Sequence, residues 1–262
     1  MSQTFRHPDI LEIAKREGKV TVDQLADHFG VTLQTIRRDL TELAEANKLE
    51  RVHGGAILPS GTTNIGYDDR RNLNEGAKTA IARACSEQIP EGCSVFLNIG
   101  TSTEAVARQL LNHKDLLVVT NNMNVANILI ANQDCETIVT GGKLRRADGG
   151  LIGTVAIDTI RQFKFDIAVV GCSALDTEGD LLDFDLEEVG VSQTIIAQSR
   201  KCFLVADTSK FKRSAPVRIA SMGSLTTVFT DRPFPETLSK RCEDWGTEVV
   251  VTSYAGAHLT ED

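Results

Sequence analysis

Short apolar runs that recur along the second part of the chain constrain its fold more than any other feature. They are VFLNI (95–99), LLVVT (116–120), ETIVT (136–140), FDIAVVG (165–171), KCFLVAD (201–207), TVFTD (227–231) and TEVVVTS (247–253). Helical patterns lie between several of them, at about 76–88, 103–112, 123–132 and 187–199. Near-continuous apolar strands that alternate with helices are typical of a parallel sheet buried on both faces. The sequence therefore predicts an α/β fold with a mostly parallel sheet from about residue 75 onwards.

The loop after the first of these strands has the composition of an anion site. Ligands of open parallel sheets sit beyond the carboxyl ends of the strands. This loop, Asn98-Ile99-Gly100-Thr101-Ser102-Thr103, leads directly into a helix, and its anion candidates are Gly100, Thr101, Ser102 and Thr103. Glycine lets the backbone approach an anion, and the hydroxyls and the first N–H groups of the helix can donate to it. An ordinary strand–helix connection with a Ser/Thr cap is the alternative, because the spacing is not that of a P-loop.

Loops at the other strand ends add polar and basic candidates. Asn121 follows the second strand, and Gly142 follows the third. The stretch after Gly142 contains basic residues that could neutralise an anion or lie on a solvated surface, namely Lys143, Arg145 and Arg146. Lys210 follows the strand that ends at Asp207 and lies beside hydroxyls, so it could meet a phosphate or a carboxylate. A plain surface lysine is the alternative there.

An acidic segment, DTEGDLLDFDLEE (176–188), holds seven carboxylates. It is compatible with a turn followed by acids at a helix start, where the helix dipole favours them. Alternatively, Asp183 and Glu188 could bind the hydroxyls of a polyol. The spacing fits no EF-hand, and we expect no metal site.

The first part of the chain predicts a winged helix-turn-helix domain over residues 1–57. A short helix at 22–29 is followed by a turn, Gly30-Val31-Thr32, in which Thr32 can cap the next helix. A hairpin follows that second helix and ends in HGG (53–55). A further helix at 8–17 precedes them, with Pro8 in its first turn and Gly18 at its end.

This arrangement predicts that the helix after the turn enters the major groove of DNA. The predicted DNA contacts are Thr32, Gln34, Thr35, Arg37, Arg38, Arg51 and His53. Lys48, and also Arg6 and Lys19, are further candidates for the basic footprint. An Arg-Arg pair on a solvated helix face is the alternative.

Charge and composition bound the remaining possibilities. The net charge is −8, yet residues 1–60 hold eight Lys/Arg against nine Asp/Glu, so most of the negative charge lies after the predicted DNA-binding domain. The acidic part is not expected to bind DNA or an anionic membrane. No apolar run approaches the ~20 residues of a membrane span, and no leader precedes the domain, which favours a cytoplasmic protein. The six cysteines are scattered and are expected to be reduced thiols without zinc.

Residues 58–74, which include LPSGTTNIGYDD (58–69), have the composition of a linker. The predicted order is therefore a DNA-binding domain (1–57), a linker (58–74) and an effector domain (75–262). A sugar-phosphate isomerase with a DNA-binding appendage is a second hypothesis, because Asp183, Glu188 and Lys210 could supply proton transfer next to a carbonyl. A DNA-binding protein without an effector is a third.

Taken together, these motifs resemble those of the DeoR family of bacterial sugar-metabolism repressors. TIRRDLTEL (35–43) and RVHGGA (51–56) resemble its N-terminal signature. Its effector domain is matched by IGTST (99–103), TNN (120–122), GGKLR (141–145), GLIG (150–153) and DTSKF (207–211). Two departures are Ser102, where the family usually has threonine, and Asn98, where it usually has aspartate. Asn47-Lys48 replaces the usual glycine-containing turn before the wing.

The resemblance implies a repressor of carbohydrate or glycerol metabolism genes, with no catalytic residues and no cofactor. Its effector domain would be similar to ribose-5-phosphate isomerase and would bind a phosphorylated sugar or polyol, with glycerol-3-phosphate expected first. It also implies a homo-oligomer, a dimer or a tetramer, that effector releases from operator DNA. The residues implied to hold the phosphate are Gly100, Thr101, Ser102 and Thr103. Asp183, Glu188 and Lys210 would contact the rest of the ligand or close the site.

Overall fold

A computed structural model describes residues 3–17, 19–46, 48–58 and 66–252. Four features of the sequence analysis lie outside these described residues. They are Gly18 as the end of the first helix, Asn47 of the turn before the wing, residues 59–65 of the predicted linker, and residues 253–262 at the end of the predicted effector domain.

The N-terminal part has the helices and strands of a winged helix-turn-helix domain. Its helices are α1 (Gln3–Glu17), α2 (Val22–Phe29) and α3 (Leu33–Glu45). Its strands, β1 (Lys19–Thr21), β2 (Glu50–Val52) and β3 (Gly55–Ile57), form an antiparallel sheet in the order β1-β3-β2. The core lies between the helices and the sheet and contains Ile10, Leu25, Ile36, Leu40 and Leu43, all fully buried.

The start of the first helix was predicted wrongly. The helix α1 begins at Gln3, so Pro8 lies inside it rather than in its first turn. Pro8 was placed in the first turn because proline lacks the N–H of an i→i−4 hydrogen bond, which the first turn does not need. The apolar spacing of Ile10 and Ile13 was read correctly, but the mostly polar residues before Pro8 gave no signal for the extra turns.

The second part contains the remaining elements. Its helices are α4 (Tyr67–Asn72), α5 (Glu75–Glu87), α6 (Thr101–Gln109), α7 (Met123–Leu129), α8 (Thr154–Ile160), α9 (Leu186–Ala197) and α10 (Glu236–Trp245), with 3-10 helices at Leu110–Asn112, Thr208–Lys212 and Met222–Ser224. Its strands are β4 (Ser94–Leu97), β5 (Leu116–Thr120), β6 (Cys135–Val139), β7 (Lys143–Arg145), β8 (Gly150–Ile152), β9 (Phe165–Val170), β10 (Ala174–Leu175), β11 (Asp180–Asp183), β12 (Ser199–Val205), β13 (Val217–Ser221), β14 (Thr227–Thr230) and β15 (Glu248–Val251).

The main sheet of the described residues has seven strands in the order β15-β14-β12-β9-β4-β5-β6. Each of its pairings is parallel, which confirms the predicted fold class. The chain runs outwards from β4 through β5 to β6 and then returns to β9 on the other side of β4. Ligands of open α/β sheets bind at such a reversal of strand order. The loops after β4 and β9 therefore border the expected ligand site.

A small antiparallel sheet, β10-β11-β13, and a hairpin of β7 and β8 accompany the main sheet. The acidic segment 176–188 is therefore more than a turn before a helix. Its turn joins β10 to β11, β11 ends at Asp183, and Asp185 caps α9 by accepting from the backbone N–H of Glu187 and Glu188. None of the described helices is long and apolar enough to cross a membrane.

Candidate DNA-binding and effector sites

A buried ion pair fixes the candidate recognition helix α3 to the rest of its domain. Asp39 on α3 accepts from Nε of Arg6 at 2.7 Å and from Nη2 of Arg6 at 3.0 Å. Both residues are at most 5% exposed, and these contacts raise the pKa of Arg6. Arg6 was considered for the basic footprint on DNA, and the structure shows instead that its guanidinium is buried under α3.

The N-terminal half of α3 presents its polar side chains to the exterior. Gln34, Arg37 and Arg38 are exposed. Thr32 caps the helix by accepting from the Thr35 backbone N–H at 3.2 Å, and the two hydroxyls lie 2.9 Å apart. Thr32 and Thr35 therefore stabilise the helix start, while the exposed side chains are free to meet base edges or phosphates.

The wing lies against α3. Arg51 on β2 donates to the Arg37 carbonyl at 3.3 Å, and burial together with the charge of Arg37 lowers the pKa of Arg51. His53 is exposed in the turn before β3. A Cβ on Gly55 would lie 1.9 Å from the Val20 carbonyl oxygen, so only glycine lets β3 approach β1 this closely. Two arginines from separate elements thus meet at one end of α3.

The loop after β4 is held in shape by its own backbone and hydroxyls. Gly100 has a φ of 148°, which side-chain-bearing residues rarely adopt. Thr103 is fully buried and donates to the carbonyls of Asn98 at 2.6 Å and Gly100 at 2.7 Å. The Asn98 amide donates to Ser192 at 2.9 Å. The hydroxyl of Thr103 therefore orders the loop, and the first backbone N–H groups of α6 remain as anion donors.

Helix α4 lies over this loop, although its residues were predicted to be linker. The Arg70 carbonyl accepts from the Thr101 hydroxyl at 3.4 Å and from the Lys78 ammonium. The Arg70 guanidinium contacts Asp148 at 3.3 Å. Tyr67 anchors the start of α4 by donating to the buried Glu104 at 2.8 Å. A backbone carbonyl thus lies against two of the groups that would hold an anion.

Lysines and arginines from distant parts of the chain meet beside this loop. Lys78, Lys210 and Arg213 are each less than 10% exposed, and their charges act on one another around Asp207. Burial and the charge of Lys210 lower the pKa of Lys78 to about 7. Burial and the charge of Arg213 lower the pKa of Lys210, whereas Lys210 holds the pKa of Asp207 below its usual range despite burial. An anion placed here would relieve this mutual repulsion.

A second cluster carries carboxylates. Arg145 contacts Asp148 at 2.7 Å and Glu188 at 2.6 Å, and these contacts outweigh its burial and raise the pKa of Arg145. Burial and the charge of Asp183 raise the pKa of Glu188 to about 7, and burial also raises the pKa of Asp183. Buried carboxyl groups of this kind suit hydroxyl recognition, because they can accept and, when protonated, also donate. Lys143, by contrast, is exposed and pairs with Glu187 at 3.1 Å.

The two remaining predicted residues have different surroundings. Asn121 is fully buried and donates to the Leu151 carbonyl at 3.2 Å, while its Oδ1 has no hydrogen-bond partner within the described residues. Such an atom suits a ligand hydroxyl, since buried polar groups are normally paired. A Cβ on Gly142 would lie 2.8 Å from the Ile152 carbonyl oxygen and 3.3 Å from Ala156. Gly142 therefore lets the β7–β8 hairpin pack against α8.

Sequence reasoning missed several residues of this arrangement. Arg70, Lys78, Asp148 and Arg213 were not singled out, and Arg145 was noted only as one of three basic residues. Arg70 and Lys78 are distant in sequence from the strand-end loops that guided the prediction. Asp148 and Arg213 follow two of those loops closely, but no sequence pattern marks them as members of a site. The one signal available in the sequence was Lys78, a charged residue on the apolar face of α5. The described residues contain no cluster of His, Cys, Asp and Glu that could hold a metal ion.

Both parts of the chain match known protein families. A DeoR-like helix-turn-helix domain matches residues 6–62, and a DeoR C terminal sensor domain matches residues 73–232. The glycerol-3-phosphate regulon repressor of Escherichia coli (strain K12) is 48% identical over 235 residues, which cover 90% of this chain and 93% of that protein. The repressor of the same name from Haemophilus influenzae is 41% identical and covers 96% and 98% of the two chains.

A more distant relative and a solved structure complete the comparison. The HTH-type transcriptional repressor CsqR of Escherichia coli is 37% identical over 94% of each chain. The ribose 5-phosphate isomerase of Plasmodium falciparum aligns with 51% of this chain and 52% of its own, at 13% identity and a TM-score of 0.38.

Proposed function

Since the chain belongs to the DeoR family of transcription regulators, we propose that it represses genes of glycerol metabolism and that glycerol-3-phosphate releases it from operator DNA. The relatives that span nearly the whole chain are named as transcriptional repressors, so the protein is a DNA-binding repressor rather than an enzyme. Its helix-turn-helix and sensor domains imply DNA and a small-molecule effector as partners.

One observation carries the choice of a phosphorylated effector. Buried cations, Lys78 and Lys210, lie in the domain whose parallel sheet also places the loop 100–103 at a helix N-terminus. Burying several like charges is costly unless an anion compensates them. We assign the phosphate to Gly100, Thr101, Ser102 and Thr103, with Lys210 beside it. The hydroxyls of the ligand are assigned to Asp183, Glu188 and Asn121, and Gly142 supports the site through its hairpin.

The DNA contacts belong to the same proposal. Arg37 and Arg38 would read or clamp the major groove from α3, supported by Gln34, Thr32 and Thr35 at the start of that helix. Arg51 and His53 would contact DNA from the wing. Helix-turn-helix proteins commonly bind two half-sites one helical turn apart as dimers, so we also propose a cytoplasmic homo-oligomer, a dimer or a tetramer. Light scattering of the free protein and of its operator complex would give the stoichiometry.

The test is fluorescence anisotropy of the full chain on DNA from its own upstream region, titrated with glycerol-3-phosphate. Fructose-6-phosphate, tagatose-6-phosphate and inorganic sulfate serve as comparison anions. We expect glycerol-3-phosphate to release the DNA at concentrations where sulfate has no effect. Release by another phosphate would correct the effector, and retention of DNA with each of them would contradict an effector-gated repressor.

A further inference from the structure

Two ion pairs join the DNA-binding domain to the sensor. Arg213 of the sensor contacts Glu50 of β2 through Nε at 3.3 Å and Nη2 at 3.1 Å. Its side chain is 1% exposed and that of Glu50 is 11% exposed. Lys19 of β1 contacts Asp69 of α4 at 2.5 Å. Both pairs therefore end on the sheet that carries the wing.

On the sensor side, each pair adjoins a residue of the candidate effector site. Arg213 ends the 3-10 helix that contains Lys210, and its backbone N–H donates to the Lys210 carbonyl at 3.3 Å. Asp69 directly precedes Arg70, whose carbonyl lies on Thr101 and Lys78. A shift at either position must move the attached ion pair, because only a few bonds separate them.

On the DNA side, the Glu50 pair adjoins a candidate contact, and the Lys19 pair ends on the same sheet. Glu50 precedes Arg51, which donates to the carbonyl of Arg37 on α3. Lys19 lies opposite Ile57 in the pairing of β1 with β3. A cleft of about 490 Å³ lies between the two domains beside the Glu50 pair, with Glu50 and Arg51 on one side and Asn74 and Ser209 on the other. This space would allow the domains to move relative to each other when the pair breaks.

We propose that the Glu50–Arg213 and Lys19–Asp69 ion pairs couple effector occupancy to DNA binding. The inference rests on the proposed function. In the structure the Arg70 carbonyl holds the donors Thr101 and Lys78, and an effector phosphate competes with it for both groups. The phosphate also attracts Lys210 together with Arg213. The empty site thus favours the paired, DNA-binding arrangement, and the occupied site favours one in which the pairs are broken.

The test compares Glu50→Gln and Asp69→Asn with the parent chain. Operator affinity is measured by anisotropy with and without saturating glycerol-3-phosphate, and the ratio of the two affinities gives the coupling. A coupling of about 5- to 150-fold is typical of allosteric proteins. We expect each variant to bind operator more weakly than the parent in the absence of effector and to show a clearly smaller ratio. Calorimetry should show that each binds glycerol-3-phosphate at least as tightly as the parent, because the opposing contact is gone.

Controls separate coupling from damage. Glu87→Gln neutralises an exposed ion pair with Arg83 on α5 and should leave the ratio unchanged. Thermal melting checks that each variant folds. If Glu50→Gln does not fold, Asp69→Asn tests the coupling independently, because the Lys19–Asp69 pair is more exposed. A double variant, Lys19→Asp with Asp69→Lys, should recover the parent ratio. If both single variants show the same affinity ratio as the parent, the coupling is overturned and the repressor function stays intact. If the parent chain itself shows a ratio of one, both the coupling and the proposed effector response are overturned.

Discussion

At the scale of single residues, Ser102 offers the sharpest test of the phosphate loop. It lies in the first turn of α6 and is 8% exposed. A carboxylate there would stand where the effector phosphate is proposed to bind. Two like charges about 4 Å apart repel by ~4 kcal/mol at an effective dielectric of 20. We therefore expect Ser102→Asp to weaken glycerol-3-phosphate binding by at least about a hundredfold and to keep operator binding, which anisotropy would show as repression without release.

Ser102→Thr is the matched control, because it keeps the hydroxyl and adds only a methyl group. It should respond to effector like the parent. Normal release of the Ser102→Asp variant by effector would contradict the role assigned to the loop.

Lys78 makes effector affinity depend on pH. Its pKa is lowered to about 7, so the ammonium of the empty site loses its proton as pH rises through 7. The phosphate binds the charged form better, so above pH 7 binding must be accompanied by proton uptake. We expect affinity to fall by up to about tenfold per pH unit between 7 and 9. Calorimetry in buffers of different ionisation enthalpy would measure the protons taken up.

The Lys78→Arg variant separates the pH dependence caused by Lys78 from that of other titrating groups. Arginine stays protonated throughout the range, so the variant should lose the pH dependence that comes from position 78 and keep only that of Glu188, whose pKa is also raised to about 7. A parent affinity that does not change over this range would show that Lys78 is not in contact with the phosphate.

Part of this candidate site was proposed from the sequence, and the rest was not, for a physical reason. Gly100, Thr101 and Lys210 follow buried strands, and parallel topology places the ends of such strands at one edge. Arg70 belongs to another segment and Arg213 comes three residues after Lys210, and neither has sequence neighbours whose pattern reveals its tertiary contacts. The missed residues could be identified only once α4 was seen to lie over the loop.

At the scale of elements, α3 carries the DNA-binding prediction. Arg37 and Arg38 are exposed on it, and Arg38 contacts Glu42 at 3.1 Å. An arginine that pairs with a base contributes ~1–3 kcal/mol of discrimination, whereas a phosphate contact weakens binding to all sequences alike. We expect Arg37→Ala and Arg38→Ala each to weaken operator binding by about 5- to 150-fold without changing glycerol-3-phosphate affinity. Operator affinities equal to that of the parent in both variants would rule out this helix as the reader.

Strand β3 depends on Gly55. A Cβ there would lie 1.9 Å from the Val20 carbonyl oxygen, and that backbone atom can move away only by separating β3 from β1. We expect Gly55→Ala to lower the free energy of unfolding of the DNA-binding domain by about 1–3 kcal/mol or more, as measured by urea denaturation. Operator binding should weaken while phosphate binding persists. The same change at Gly190 of α9, where a Cβ would lie 3.7 Å from Ile157, should be tolerated.

The elements themselves were predicted to different extents. The strands of the main sheet were found because each contains adjacent apolar residues, from two in β14 (Thr227–Thr230) to four in β5 (Leu116–Thr120). Strand β10 was missed because it has only two residues, and β11 was missed because it lies in the acidic segment. Helices α4 and α10 were not predicted because they are mostly polar and show no apolar periodicity. Tertiary contacts, such as that of Tyr67 on α4 with Glu104, stabilise helices of this kind.

At the scale of the whole molecule, the distribution of charge does not favour non-specific binding to DNA. The chain carries −8 in total, and residues 1–60 nearly balance, with eight Lys/Arg against nine Asp/Glu. Among the side chains that the structure describes, Arg6 is buried and Lys19 pairs with Asp69, which leaves Arg37, Arg38 and Lys48 as exposed cations of the DNA-binding domain. Affinity for DNA must therefore come from a local set of contacts.

This distribution predicts how operator binding responds to salt. Each phosphate that a cation neutralises contributes about −0.9 to the slope of log affinity against log salt concentration. The acidic residues of the sensor act only at short range at physiological ionic strength, where the Debye length is ~8 Å. Lys48→Gln, which removes an exposed cation next to the wing, should therefore reduce the slope by about 0.9 and lower the affinity for every DNA sequence alike. Glu87→Gln on α5 should change neither. An unchanged slope for Lys48→Gln would place the phosphate contacts elsewhere on the domain, and a changed slope for Glu87→Gln would mean that the sensor itself lies on the DNA.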